Sequence, residues 1–569
     1  MRNSEGRWLR LGVLGIVTAG LLLPIAAGLW ETTRAAFGIL PAIGAETPSL
    51  GPWQRLWSLP GFGTSLRLTL WTGFASTIAA LLLAMSFCAF AHGRMRPGRM
   101  ARLMVPLLAT PHAALAIGLA FLIAPSGWIA RLLSPWATGW TLPPEAATVQ
   151  DPLGLALVLG LMIKEVPFFL LVTMSALSQV KVNEHLAAGR ALGYGRGLVW
   201  VKIIAPQVYP LIRLPIFVVL SFALSVVDMA IILGPSNPPT LAVAMTRWFF
   251  AADTALILPA SAAALVQTMV VAGGISLWLL AERFATRFGK SWVRRGGRGV
   301  SSGPGLRLAG ATAMFLMGLG TMALFVLILW SFAWRWPFPA ALPESWSFKA
   351  WMRPAGGWSM ALGQTVVIGL ATTLLSLTLA VAWLEGEDRA GMRRAVWAEA
   401  LIYLPLLVPQ IAFLYGLSVT FLRMGVSGGM VAVIWGQSLF VFPYVMIALS
   451  DPWRALDRRM IRAAAALGAG PARRLFAVKL PILLRPILTA AAIGFAVSVA
   501  QYLPTLFLGA GRIATLTTEA VTLSSGSDRR VTGVYAVLQS VLPVAAYAAA
   551  LALPALMQRH RRDTAGVTA

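Results

Sequence analysis

Ser65-Leu-Arg-Leu-Thr-Leu-Trp-Thr-Gly-Phe-Ala-Ser-Thr77 returns later in the chain as Ala361-Leu-Gly-Gln-Thr-Val-Val-Ile-Gly-Leu-Ala-Thr-Thr373. Thr69 and Thr365, Gly73 and Gly369, Ala75 and Ala371, and Thr77 and Thr373 coincide at one fixed offset. Alanine and leucine coincidences between apolar segments carry little weight. Ordered Thr and Gly coincidences mark an internal repeat. The repeat continues outward from this stretch. Pro111-His-Ala-Ala-Leu-Ala-Ile-Gly118 is matched by Pro409-Gln-Ile-Ala-Phe-Leu-Tyr-Gly416, Pro167 by Pro443, and Phe222-Ala-Leu-Ser225 by Phe495-Ala-Val-Ser498. The last match sets Asp228 opposite Gln501.

The repeated stretches lie in long apolar runs. Of the 569 residues 58% are hydrophobic and 12% charged, and the mean hydropathy is +0.77. Soluble chains carry about a quarter charged residues, whereas a helix needs about 20 apolar residues to cross ~30 Å of hydrocarbon. About twelve such runs can be placed. They fall near residues 11–30, 65–91, 103–124, 153–178, 212–234 and 260–281, then 307–333, 361–384, 396–420, 429–450, 487–509 and 533–557. The fold expected is all-α and polytopic: two homologous six-helix halves, residues 1–285 and 307–569, joined by a basic, Gly-rich linker at 286–306. A longer loop at about 125–152, rich in Pro, Gly and Trp, distinguishes the first half.

The formal charge of +26 follows topology and is no nucleic-acid footprint. With the amino terminus inside, Arg94/Arg96/Arg99/Arg102, Arg294/Arg295/Arg298, Arg458/Arg459/Arg462 and Arg559/Arg561/Arg562 all fall on the cytoplasmic side, as the positive-inside rule requires. Both termini are then cytoplasmic, and Arg529/Arg530 are an exception placed outside. Arg2, Arg7 and Arg10 precede an apolar stretch that reads as an uncleaved first span. The lone Cys88 offers neither a disulfide framework nor a cysteine metal cluster.

After the fourth span of each half comes a segment of one design. The first reads Ala187-Ala-Gly-Arg-Ala-Leu-Gly193 and closes at Pro206; the second reads Arg462-Ala-Ala-Ala-Ala-Leu-Gly468 and closes at Pro481. In both, the proline stands at the thirteenth position after the glycine, and an aliphatic residue (Ile203, Val478) precedes it by three. The spacing predicts a short small-residue helix, a glycine turn and a second short amphipathic stretch. Alanines such as Ala188 and Ala463 leave a helix that another surface can approach closely.

These paired segments resemble the "EAA" loops of bacterial ABC-transporter permeases of the binding-protein-dependent importer class. Nearly the whole chain is similar to the fused permeases of the ferric-iron, thiamine and spermidine/putrescine group, and Gln501-Tyr-Leu-Pro-Thr-Leu-Phe-Leu-Gly509 is similar to the fused thiamine-like permeases of enteric bacteria. The resemblance implies a permease subunit in the bacterial inner membrane. It implies two copies of an ABC ATPase docked at the loops 184–210 and 459–485, through Ala188, Gly193, Pro206, Ala463, Gly468 and Pro481. A periplasmic or extracellular solute-binding protein would deliver the solute from outside. The sequence departs from the family pattern at its opening acidic position, which is Ala187 in one copy and Arg462 in the other.

ATP would be used by the partner, and no cofactor is expected on this chain. Phe288-Gly-Lys-Ser291 ends like a phosphate-binding loop, but Phe284 holds the position of the earlier glycine. Ionisable groups within spans mark a pathway or a pair. Glu165, Asp228 and Gln501 are candidates to line a central path suited to a cation; alternatively Lys164 pairs with one of the carboxylates and fixes packing. Gln437 and Tyr502 are further candidates. The competing function is a proton-coupled secondary transporter of the major facilitator type, on the strength of Asp388-Arg-Ala-Gly-Met-Arg-Arg394.

Overall fold

A computed structural model describes residues 2–94, 104–297, 303–352, 357–391, 396–526 and 528–565. Among these residues ten helices are long and apolar enough to cross a membrane, or up to twelve if each of two bent pairs is one span. The first half contributes spans Trp8–Ala36, Phe62–Ala91, His112–Leu133, Leu155–Leu177, Arg196–Ser225 and Thr254–Arg294. The second contributes Gly303–Phe332, Trp358–Ala390, the pair Ala400–Leu406 and Gln410–Arg423, Met430–Arg454, the pair Pro471–Ile482 and Leu484–Ala500, and Arg529–Pro554. A short hairpin, Ala333–Arg335 against Ser345–Trp346, follows the first span of the second half.

Several expected boundaries shift. The sixth span runs on as helix to Arg294, and the next begins at Gly303. The expected linker is therefore largely helical among the described residues; Arg298 and Gly299 lie outside them. The loop at 125–152 contains a helical turn, Trp128–Leu133. The third span of each half is broken rather than continuous. In the first half helix 104–109 stops before Pro111 and resumes at His112; in the second the two pieces meet at 97° before Gln410. A proline supplies no N–H and disfavours helix in the residue before it, so Pro111 and Pro409 set both breaks. Arg96, Arg99 and Arg102 fall outside the described residues, as do Arg393 and Arg394 and the side chains of Arg559, Arg561 and Arg562.

The halves exchange their first spans. The first span of the first half lies along the third span of the second, where a Cβ on Gly416 would strike the Gly28 carbonyl oxygen and come within 2.8 Å of Thr32 Oγ1. The first span of the second half lies in the same way against the first half, where a Cβ on Gly118 would strike the Ala323 carbonyl oxygen. Gly118 and Gly416 are matched positions of the repeat, and small residues let helix backbones close up in a membrane. Polar side chains clamp the exchange: Trp435 Nε1 donates to the Gly20 carbonyl at 2.6 Å, and Arg423 pairs with Glu31 at 2.7 Å.

Several buried hydroxyls in the second span are satisfied within their own helix. Thr69 donates to the Ser65 carbonyl at 2.8 Å, Thr72 to Leu68 at 2.8 Å and Ser76 to Thr72 at 2.7 Å. Such bonding to the preceding turn keeps a polar residue tolerable where no water is available.

Candidate functional site

The two loops after the fourth spans share one geometry. In the first, helix Val182–Ala191 ends at Gly193, whose φ is +79°. The Gly193 N–H donates to the Arg190 carbonyl at 3.0 Å and the Tyr194 N–H to Gly189 at 2.9 Å. In the second, helix Arg458–Ala466 ends at Gly468 with φ +81°. The Gly468 N–H donates to Ala465 at 3.1 Å and the Ala469 N–H to Ala464 at 3.0 Å. Both are Schellman closures, which need a left-handed residue and so favour glycine. The carbonyls of Ala188 and Ala463 accept from Leu192 and Leu467, each at 3.1 Å.

Beyond the turn, Arg196–Val199 and Pro471–Arg474 lead into widened π-turns, Trp200–Ile204 and Leu475–Lys479. Pro206 and Pro481 stand in the first turns that follow. The leucine before each glycine faces outward: Leu192 is 62% exposed and Leu467 88%.

The anchoring of the loops differs between halves. Arg196 donates through Nε to the Ala89 carbonyl at 2.8 Å and through Nη2 to that of His92 at 2.5 Å, capping the end of the second span. His92 also bonds Asn183 at 3.0 Å. In the second half Lys479 Nζ lies 2.6 Å from Glu385 and 2.5 Å from Asp388. Asp388 accepts from Trp453 Nε1 at 3.1 Å, and Glu387 accepts from Trp383 at 3.0 Å and Arg454 at 3.0 Å. Arg389 completes the set on Glu385 at 2.7 Å. Asp388, the acidic residue of the facilitator-like motif, is thus engaged by the second loop. Sequence reasoning missed this cluster, although three carboxylates at the end of one span, in a chain so poor in acids, were a visible signal.

The candidate pathway residues stand on the fourth spans and at the breaks of the fifth. Lys164 does not pair with a carboxylate at salt-bridge distance among the described residues. Its ammonium donates to the carbonyls of Leu107 at 2.8 Å, Leu108 at 3.1 Å and Thr110 at 2.5 Å, which the break before Pro111 leaves without helical partners. The corresponding break in the second half is served across the halves, where Ser221 donates to the Leu407 carbonyl at 2.9 Å. Glu165, buried, has His112 Nε2 at 3.9 Å, and that imidazole leans on Phe222 with ring centroids 4.5 Å apart. Glu165 lies within electrostatic reach of Tyr444, and Asp228 within reach of Tyr502; both tyrosines come from the opposite half.

The fifth spans break at matched places. Helix Ala205–Ser225 stops at Val226 and resumes as Asp228–Leu233; helix Leu484–Ala500 stops at Gln501 and resumes as Leu503–Gly509. By these breaks Asp228 stands opposite Leu503, not Gln501, because the second half carries two more residues between the serine (Ser225, Ser498) and the following glycine (Gly234, Gly509). Each break is capped from a glutamine of the sixth span, directly in the first half and through a threonine in the second. Gln267 Nε2 donates to the Leu224 carbonyl at 2.9 Å; Gln539 donates at 2.6 Å to Thr517 Oγ1, which donates to the Val499 carbonyl. Thr69 and Thr365 accept, each at 2.9 Å, from Leu241 N and Leu516 N, at the start of the next helix in each half. Gln437 is enclosed in this scaffold: it donates to Thr505 Oγ1 at 3.0 Å and accepts from Ser498. Gln501 is buried and Tyr502 partly buried at the break.

Two broken six-span repeats with exchanged first spans, each presenting a glycine-turned loop on one face, describe a duplicated transport permease. Residues 390–559 match the family described as the binding-protein-dependent transport system inner membrane component. The inner membrane ABC transporter permease protein YnjC of Escherichia coli is 33% identical over 527 residues, covering 91% of this chain and 94% of that protein. A spermidine/putrescine transport system permease PotC homolog of Mycoplasma pneumoniae is 27% identical over 30% of this chain and 60% of its own length. The molybdenum transport system permease ModB of Azotobacter vinelandii is 28% identical over 26% of this chain and 72% of its own. The chain belongs to the ABC-transporter permeases of the binding-protein-dependent class, which sets aside the major facilitator reading.

Proposed function

We propose that this permease carries a solute inward along the seam between its halves, driven by two copies of an ABC ATPase, one docked at each glycine-turned loop. The observation that carries the docking is the repetition of one closure, with an exposed leucine, at Gly193 and Gly468. A separate solute-binding protein delivers the solute on the opposite face, and both termini lie on the ATPase side, the cytoplasm. Nucleotide binding favours one arrangement of the docked loops over another, and that difference is the only source of work for the membrane part.

Within the seam, Glu165, Asp228, Gln501 and Tyr502 line the path, while Lys164 and Gln437 shape it by holding the broken helices. Negative charge on the path favours a cation over an anion. The test of docking is Gly193→Val and Gly468→Val. A β-branched residue in the left-handed region costs about 1–2 kcal/mol, enough to weaken ATPase retention by about tenfold. Both variants insert as the native chain does but lose the ATPase on co-purification. Undiminished retention in both overturns the assignment.

A further inference from the structure

Resting on that docking reading, we propose that the two loops transmit unequally, with Lys479 as the positioning residue that makes the second loop the stiff one. Lys479 lies in the π-turn at the base of its loop with a side chain only 4% exposed, against Glu385 and Asp388 at the end of the second span. The next carboxylate, Glu387, takes Arg454 from the end of the fourth span at 3.0 Å. The first span of the other half closes the group, with Arg10 Cα 3.4 Å from where a Cβ on Gly386 would stand. One loop and three spans, drawn from both halves, therefore meet at a single ionic cluster, with the Lys479–Glu385 pair buried and Asp388 at its exposed edge.

The matched positions of the first half cannot build it. At the offset that pairs Thr69 with Thr365, Glu385, Glu387 and Asp388 correspond to Ala89, Ala91 and His92. At the offset that pairs Gly193 with Gly468, Lys479 corresponds to Ile204. The first loop holds its span by neutral acceptors, through Arg196 on two carbonyls. Asn183 adds a neutral bond to His92, and two further ties run to the exposed segment between the halves: Tyr194 Oη donates to Gly296 at 3.1 Å and Lys202 to Gly297 at 2.8 Å.

The physical difference lies in what separation leaves behind. Pulling Lys479 away breaks its buried pair with Glu385, leaving the lysine charge without a carboxylate and Glu385 with Arg389 alone, which is unfavourable. Pulling Arg196 away leaves two neutral carbonyls at a part-buried helix end, a smaller loss than separating a buried ion pair. A displacement imposed on the second loop must therefore carry the second and fourth spans of its half with it. The first loop can yield at its base.

The test uses the full chain with its ATPase in proteoliposomes, with nitroxides at Leu142→Cys and Met424→Cys. Both sites are exposed, and Cys88 is buried and does not compete for label. The readout is the change in inter-label distance between nucleotide-free and ADP-vanadate-trapped complexes. Lys479→Met should retain the ATPase and its hydrolysis but lose about half or more of the native change, because stranded charges release the loop; Lys479→Arg should restore it. Arg196→Met should keep most of it. The triple variant Glu385→Gln, Asp388→Asn, Lys479→Gln removes the lysine together with both its carboxylates and leaves only Arg389, about a quarter exposed, without its partner, so it should insert normally and still lose the change.

An undiminished change in Lys479→Met or in the triple variant overturns the inequality, as does an equal loss in Arg196→Met. Failure of the triple variant to insert also overturns it, since the cluster would then serve folding. ATPase retention is read separately: if the native chain does not hold the ATPase, the docking reading fails, not the latch alone.

Discussion

Replacing Gly416 or Gly118 by Ala adds one methyl at the contact where the halves exchange their first spans. Both methyls land on backbone: the Gly28 carbonyl for Gly416 and the Ala323 carbonyl for Gly118. No rotamer change can clear a carbonyl, so the helices must part. The carbonyl carbons stand at 2.9 Å from each added methyl, where ordinary contact begins at 3.4 Å, so the paired spans must retreat by at least 0.5 Å. Overpacking costs about 1–3 kcal/mol, and a rigid neighbour places these sites near the upper end. Alanine recovers up to about 1 kcal/mol of helix propensity over glycine, leaving a net loss of about 2 kcal/mol at each site.

The internal control is Gly318→Ala, on the same span as Ala323 but with nothing within 4 Å of the added methyl. It should gain about 0.5–1 kcal/mol. Thermal unfolding of the purified permease in detergent, followed by tryptophan fluorescence, should show opposite signs: lower midpoints for Gly118→Ala and Gly416→Ala, an equal or higher one for Gly318→Ala. The double variant should lose about the sum of the two, since the contacts are distinct. If all three single variants shift together, the exchange of first spans is not what holds the halves.

Gln267→Leu and Gln539→Leu should each cost about 1–2 kcal/mol, as interhelical hydrogen bonds in membranes do. Hydrogen exchange should quicken at Val226–Asp228 in the first variant and at Gln501–Leu503 in the second; an effect in one half alone would contradict the shared cap. Lys164→Met uncovers three carbonyls and should cost about 1–3 kcal/mol, lowering the yield of monodisperse protein. Glu165→Gln should leave that yield unchanged and act only on solute passage, and the reverse order would reassign the two residues.

Much of this architecture was legible before any coordinates. Thr69 and Thr365 stood out as repeat markers because a chance match between apolar helices does not conserve threonine, and they do one job in both halves. Gly193 and Gly468 were legible because a left-handed turn has few other residues to use. Lys164 was not. Whether it meets a carboxylate or a carbonyl depends on how the third span breaks beside it, and the ammonium took the helix end. The register of Asp228 was misread because two added residues in the second half shift the fifth-span break relative to the serine that anchors the alignment.

Composition, apolar run lengths and ordered repeats were enough for a duplicated all-α membrane permease with paired loops, because the bilayer and the left-handed turn impose constraints on each segment separately. The exchange of first spans, the cap on every break and the lopsided anchoring of the loops were fixed elsewhere. They depend on which backbone meets which small residue and which buried donor meets which orphan acceptor. Those partners lie far apart in the chain, so only packing brings them together.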